Sequence, residues 1–100
     1  METDWLTPFL VEYQERTRQA LAAKDPGRAA DAYLEFLRYE PAEIQVAPNG
    51  VPATSEDRQV AKTFGEIHAV CARLLTDAGR QEQARVEAER AKQWLELAGR

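Results

Sequence analysis

The stretch KDPGRAADAYLEFLRYEP (residues 24–41) is a helix written between its own start and stop signals. Asp25 is a good N-cap, because its short carboxylate can accept a hydrogen bond from a first-turn backbone N–H. Pro26 suits the first helical position, where no donor is needed. Ala29, Ala30, Tyr33, Leu34, Phe36 and Leu37 then form one broad apolar face, at the spacing of a 3.6-residue turn. Pro41 cannot continue a helix and biases Glu40 away from helical backbone, so the helix is expected to stop near Tyr39.

Working outward, Phe9, Leu10, Tyr13, Thr17, Ala20 and Leu21 recur at three- and four-residue steps. They predict a preceding helix over residues 8–23, capped by Thr7, with Pro8 in its first position and a Leu6–Val11 hydrophobic staple. So few residues separate the two helices that they must fold back as an antiparallel hairpin.

On the other side lies PAEIQVAPNGVPAT (residues 41–54), whose three prolines and Asn49-Gly50 forbid a helix. Ile44 and Val46 alternate with polar neighbours, but Pro48 and Pro52 limit any strand ladder, so an irregular loop is expected. Thr54 and Asp57 resemble a capping box opening a third helix. Its stripe is Val60, Phe64, Ile67, Cys71, Leu74, Leu75 and Ala78, ended by Gly79. A fourth helix over residues 81–98 turns Ala84, Ala88, Ala91, Trp94, Leu95 and Ala98 inward, with Gln81, Glu82, Arg85, Glu89, Lys92 and Glu96 in water. The expected fold is one all-α domain over residues 1–100: hairpin 8–40, loop 41–54, hairpin 55–98.

The two hairpins share a spacing. Ala29-x-x-x-Tyr33-x-x-Phe36 corresponds to Ala84-x-x-x-Ala88-x-x-Ala91, with Gly79 before the second copy, Pro41 after the first, and Ala72 at a small-residue site between Cys71 and Leu75. Over residues 9–41 and 65–98 this resembles the tetratricopeptide repeat (TPR). Thr17 stands at the small site of the first copy. Ala29 and Ala84 lie 55 residues apart, whereas tandem TPRs repeat about every 34; the loop and a long third helix account for the difference. The hairpins are therefore expected either to stack in TPR-like fashion or to close as a four-helix bundle. Either arrangement covers apolar faces that one hairpin leaves open.

Chemistry is sparse. Cys71 follows the only histidine, His68, by one helical turn, an arrangement that can activate a thiolate. Both lie on or beside the apolar stripe, where packing is the plainer explanation. Asp31 and Glu35 share a helix face and read as solvated. Gly27, Gly50, Gly65, Gly79 and Gly99 are scattered and make no phosphate loop. A single histidine and a single cysteine leave a metal site incomplete. No enzyme activity, cofactor or metal is expected.

Net charge is −4, and residues 1–50 carry 5 basic against 9 acidic side chains. That balance opposes nucleic-acid binding, which needs clustered Lys and Arg. No apolar run approaches the roughly 20 residues of a membrane span, and METDWLTP is acidic, unlike a signal peptide. A cytoplasmic interaction or adaptor module follows, with a protein or peptide partner. The TPR resemblance implies a groove lined by the first helix of each hairpin, here Gln14, Arg18, Lys62, Glu66 and Arg73. The family's carboxylate clamp uses Lys and Asn, and the only asparagine, Asn49, is in the loop. Trp5 and Tyr39 stand at helix ends as aromatic anchors. Leu97, off the main stripe, points with Trp94 and Leu95 to homodimerisation through helix four. The alternative reading is a self-associating helical-bundle subunit without a peptide groove.

Overall fold

The computed structural model describes residues 6–100. It contains four helices: α1 (Leu6–Ala22), α2 (Pro26–Phe36), α3 (Ser55–Asp77) and α4 (Gln81–Ala98), with one 3-10 turn, Leu37–Tyr39, closing α2. Among the described residues the only β pairing is an isolated antiparallel bridge between Val46 and Pro52. The all-α expectation holds.

The helix ends follow the local chemistry, with differences at α1. That helix starts two residues early, so Thr7 and Pro8 lie within its first turn, where backbone donors lack intrahelical partners anyway. Val11 is 58% exposed and takes no part in a buried staple; the expectations for the side chains of Leu6, Thr7 and Phe9 lie outside the described residues. At the other end Asp25 N bonds Ala20 O at 2.9 Å and Lys24 N bonds Leu21 O at 2.9 Å, with Lys24 at φ 57°. This is a Schellman turn whose left-handed position is usually glycine. The same turn ends α3, where Gly79 does hold the position (φ 79°) and Arg80 N reaches Leu75 O at 2.8 Å.

Asp25 caps α2 by accepting from Arg28 N at 3.0 Å. Thr54 caps α3 by accepting from Asp57 N at 3.0 Å. The Asp57 carboxylate in turn accepts a hydrogen bond from the Thr54 hydroxyl at 2.8 Å, rather than reaching the Thr54 backbone as a capping box would. The intervening loop turns at Asn49-Gly50, with Gly50 at φ 80° and Ala47 N donating to Val51 O at 2.8 Å. Its tip is tied to the C-terminus, where Arg100 donates to Gly50 O, and Arg58 of α3 donates nearby to Ala98 O at the end of α4.

Packing is serial. α1 lies on α2, α2 on α3, and α3 on α4, and α1 shares no substantial packing with α4. The molecule is accordingly elongated, 44 × 30 × 18 Å, and open rather than closed into a bundle. One aromatic run crosses all four helices: Tyr13 to Phe36 (5.3 Å between ring centroids), Phe36 stacked on Phe64 (5.6 Å), and Phe64 to Trp94 (6.2 Å). Ala29, Ala30, Ile67, Cys71, Leu74, Leu75 and Ala84 fill the spaces beside it.

The α3–α4 contact is the tightest. A Cβ built on Gly65 would lie 2.7 Å from Leu95 Cγ and Cδ2, and 3.2 Å from the Leu95 backbone nitrogen. Here the inward assignment for α4 needs correction. Ala84 and Ala91 are buried, whereas Ala88 is exposed and Leu95 is 39% exposed, over the edge of the seam. The inward positions are Ala84, Glu87, Ala91, Trp94 and Ala98, stepping by three and four. A carboxylate stands where alanine was expected.

Candidate functional site

That carboxylate meets the histidine. His68 follows Phe64 by four residues on the inner face of α3 and is only 1% exposed. Its Nδ1 lies 2.5 Å from Glu87 Oε1 on α4. On the opposite edge of the ring, Nε2 bonds Glu40 Oε2, which enters from the loop just after the 3-10 turn. Both carboxylates are largely buried, with side chains 13% and 12% exposed. Glu40 has further partners on α4: Trp94 Nε1 donates to Oε2 at 2.9 Å, and Arg90 Nη1 donates to Oε1 at 3.4 Å.

The electrostatics follow from this geometry. Burial alone would drive His68 towards its neutral form. The hydrogen bonds and charges of Glu40 and Glu87 more than offset that, and push its pKa up to about 9. Burial would likewise raise Glu40; the His68 hydrogen bond and charge, the Trp94 donor and Arg90 outweigh it and hold the carboxyl below its ordinary value. At neutral pH His68 is therefore protonated and Glu40 ionised, an imidazolium held between the Glu40 and Glu87 side chains. No described buried side-chain polar atom lacks a hydrogen-bond partner.

The Cys71–His68 pairing is not formed. Both His68 nitrogens are occupied by carboxylates, and Cys71 Sγ turns towards Ala30 O on α2 at 3.8 Å. Burial, with the charges of Glu87 and Asp31, pushes the Cys71 thiol up to about 12. A thiol so protonated is a packing group rather than a nucleophile at neutral pH.

Above the ion cluster lies a cleft of about 450 Å³ between the loop and α4. Its loop wall is Glu40, Pro41, Ile44 and Val46, and its helix wall is Arg90, Gln93, Trp94 and Leu97, with Glu43 at the rim. A shallower furrow continues along α4 past Arg90 and Gln93 to Val86. Val46 and Val86 are 50% and 53% exposed. Glu40 is thus shared: it forms part of the cleft wall and one arm of the buried bridge.

Of the residues expected to contact a partner, Leu97 lines this cleft and Tyr39 is exposed immediately before Glu40. Trp5 lies outside the described residues. Gln14, Arg18, Lys62, Glu66 and Arg73 are all exposed, but the first two sit on α1 and the others on α3, helices without substantial packing on one another. Arg18 is also held by Glu15, at 2.5 and 2.9 Å. Asp31 and Glu35, read as solvated, each make a cross-helix ion pair at the surface, Asp31 with Arg80 at 2.7 Å and Glu35 with Arg16 at 3.5 Å. Glu40, Glu87, Arg90 and Ile44 were not anticipated. The available signal was Glu87, a charge at an inward step between Ala84 and Ala91.

No helix among the described residues is long and apolar enough to cross a membrane. Comparison of the chain with protein-family models, with curated proteins and with solved structures finds no match to any of them.

Proposed function

We propose that the chain is a non-enzymatic interaction module of the cytoplasm, TPR-like in its paired hairpins, that takes a segment of a protein partner into the cleft between the Glu40–Val46 loop and α4. The observation that carries this reading is the cleft itself. Ile44, Trp94 and Leu97 offer apolar walls, and the exposed apolar surface runs on to Val46 and Val86. An apolar centre with an aromatic and an arginine beside it is the composition of a protein-binding surface. The extension beyond the cleft suits a chain of residues better than a compact small molecule. The absence of catalysis is supported by His68, whose two nitrogens are both spent on carboxylates, and by the deeply protonated Cys71.

The serial packing of two hairpins supports the TPR-like reading over a closed bundle. The cleft does not coincide with the surfaces of Gln14, Arg18, Lys62, Glu66 and Arg73, so binding is assigned to the loop side of α4. A second reading, self-association through α4, is favoured by the exposure of Val86 and Leu95 on a helix whose one substantial helix partner is α3.

The test compares two double variants of unchanged far-UV circular dichroism, Ile44→Ser/Leu97→Asp in the cleft and Lys62→Glu/Arg73→Glu on α3. Each is immobilised and its captured proteins are quantified against wild type. Capture of a defined partner is expected to fall at least about tenfold for the cleft variant, a loss of ~1.4 kcal/mol, and to persist for the α3 variant. The opposite pattern refutes the cleft. Light scattering decides the second reading: a concentration-dependent dimer abolished by Val86→Asp supports self-association instead.

A further inference from the structure

We infer that the Glu40–His68–Glu87 bridge is a proton-operated latch on this cleft: loss of the His68 proton swings the Glu40 end of the loop outward and uncovers Trp94. The inference rests on the cleft being the binding face, and supplies its regulation.

The geometry leads to it in three steps. First, an imidazolium has two N–H donors, and both are used, one towards Glu87 and one towards Glu40. A neutral imidazole has one donor and one lone pair. After deprotonation the ring can serve only one carboxylate, and the other faces a lone pair across a short contact.

Second, the two carboxylates are not equally fixed. Glu87 is in the middle of α4, and α4 is clamped to α3 along its length, down to the near-contact at Gly65 and Leu95. Glu40 stands at the start of a loop held by one β bridge, its own turn, the Arg100 bond to Gly50 and the Trp94 and Arg90 donors at Glu40 itself. The carboxylate on the loop is the one free to leave, because local opening follows the element with least packing.

Third, Glu40 leaves with consequences. It is the hydrogen-bond acceptor for Trp94 Nε1 and for Arg90, and the loop it begins is one wall of the cleft. Its departure frees the indole N–H and the guanidinium together. The groups that face His68 or its partners are Glu40 from the loop, Glu87, Arg90 and Trp94 from α4, and Cys71 on its own helix, the last a neutral thiol. None of the others can replace the lost positive charge at the ring. By reciprocity, a ligand that draws Arg90 and Trp94 away from Glu40 weakens the hold on the His68 proton.

The chain has one histidine and two tryptophans, so the test can be read site by site. Trp5→Phe protein carrying 5-fluorotryptophan reports Trp94 alone by fluorine NMR, while the imidazole Cε1 resonance reports His68. Both are followed from pH 6 to 10.5, with far-UV circular dichroism recorded on the same samples. The expected result is one shared midpoint near pH 9, a rise in the H2O/D2O isotope shift at Trp94, and unchanged helicity. Glu87→Gln keeps an acceptor at Nδ1 but removes a charge; it should lower both midpoints together, by about one pH unit. A Trp94 signal that stays flat through the His68 titration, or that keeps its midpoint when His68 moves, overturns the latch. So does loss of helicity at the same pH. Either result leaves the capture experiment at neutral pH standing on its own.

Discussion

Gly65→Ala should destabilise the protein, although alanine is the better helix former. The added methyl would sit 2.7 Å from two Leu95 side-chain carbons, about 1 Å inside ordinary carbon contact. Overpacking of this kind costs about 1–3 kcal/mol. Replacing a mid-helix glycine returns about 1 kcal/mol, so the net loss is centred near 1 kcal/mol and reaches at most about 2 kcal/mol, or up to roughly 16 °C in Tm for a domain of this size. Leu95 is partly exposed and can swing away, but its backbone nitrogen at 3.2 Å cannot. A double-mutant cycle with Leu95→Ala, measured by urea denaturation, should therefore recover most of the loss, with a coupling of about 1 kcal/mol, and leave a residue from the backbone contact. If the two changes simply add, the close approach of α3 and α4 is not the constraint described.

Three further outcomes are expected. The raised His68 pKa contributes stability that is complete below about pH 6.5 and lost as pH rises through about 9, at most about 3 kcal/mol; the lowered Glu40 pKa contributes stability lost in acid. Urea midpoints should thus be highest at about pH 5–6.5, and a flat profile from pH 6 to 9.5 would remove the buried bridge. Lys24→Gly should stabilise by about 0.5–1 kcal/mol in the same assay, since it relieves a left-handed backbone that lysine adopts at a cost; a loss would mean that the turn is not strained. Cys71 should resist a thiol reagent at neutral pH and react fully in denaturant, because it is both buried and protonated; rapid native labelling contradicts that environment.

The frame of the fold was legible in residues whose effects are local. Asp25, Pro26 and Thr54 start helices, and Gly79 and Pro41 end them, through backbone chemistry that needs no tertiary partner. The stripe of α3 was equally plain, because leucine, isoleucine and phenylalanine leave little choice of face. α4 was harder: alanine suits any face, so Ala88 looked as inward as Ala84, and Glu87 was assigned to neither face. Seen with His68, its burial makes sense, since each supplies the counter-charge the other needs. Glu40 was beyond the reach of periodicity. It enters from a segment with no repeat, 28 residues from His68 in the chain, and only the three-dimensional return of the loop brings it there.

The open, serial arrangement has its own consequence for cooperativity. With α1 and α4 apart, one hairpin senses the other chiefly through the α2–α3 seam, crossed by the Phe36–Phe64 stack and the Cys71 contact with Ala30, and through the polar ties of Asp31 to Arg80 and of Glu40 to His68, Arg90 and Trp94. Amide protons of the first hairpin can thus exchange through openings that leave α3 and α4 intact, so that the chain unzips from its N-terminal end before it melts as a whole.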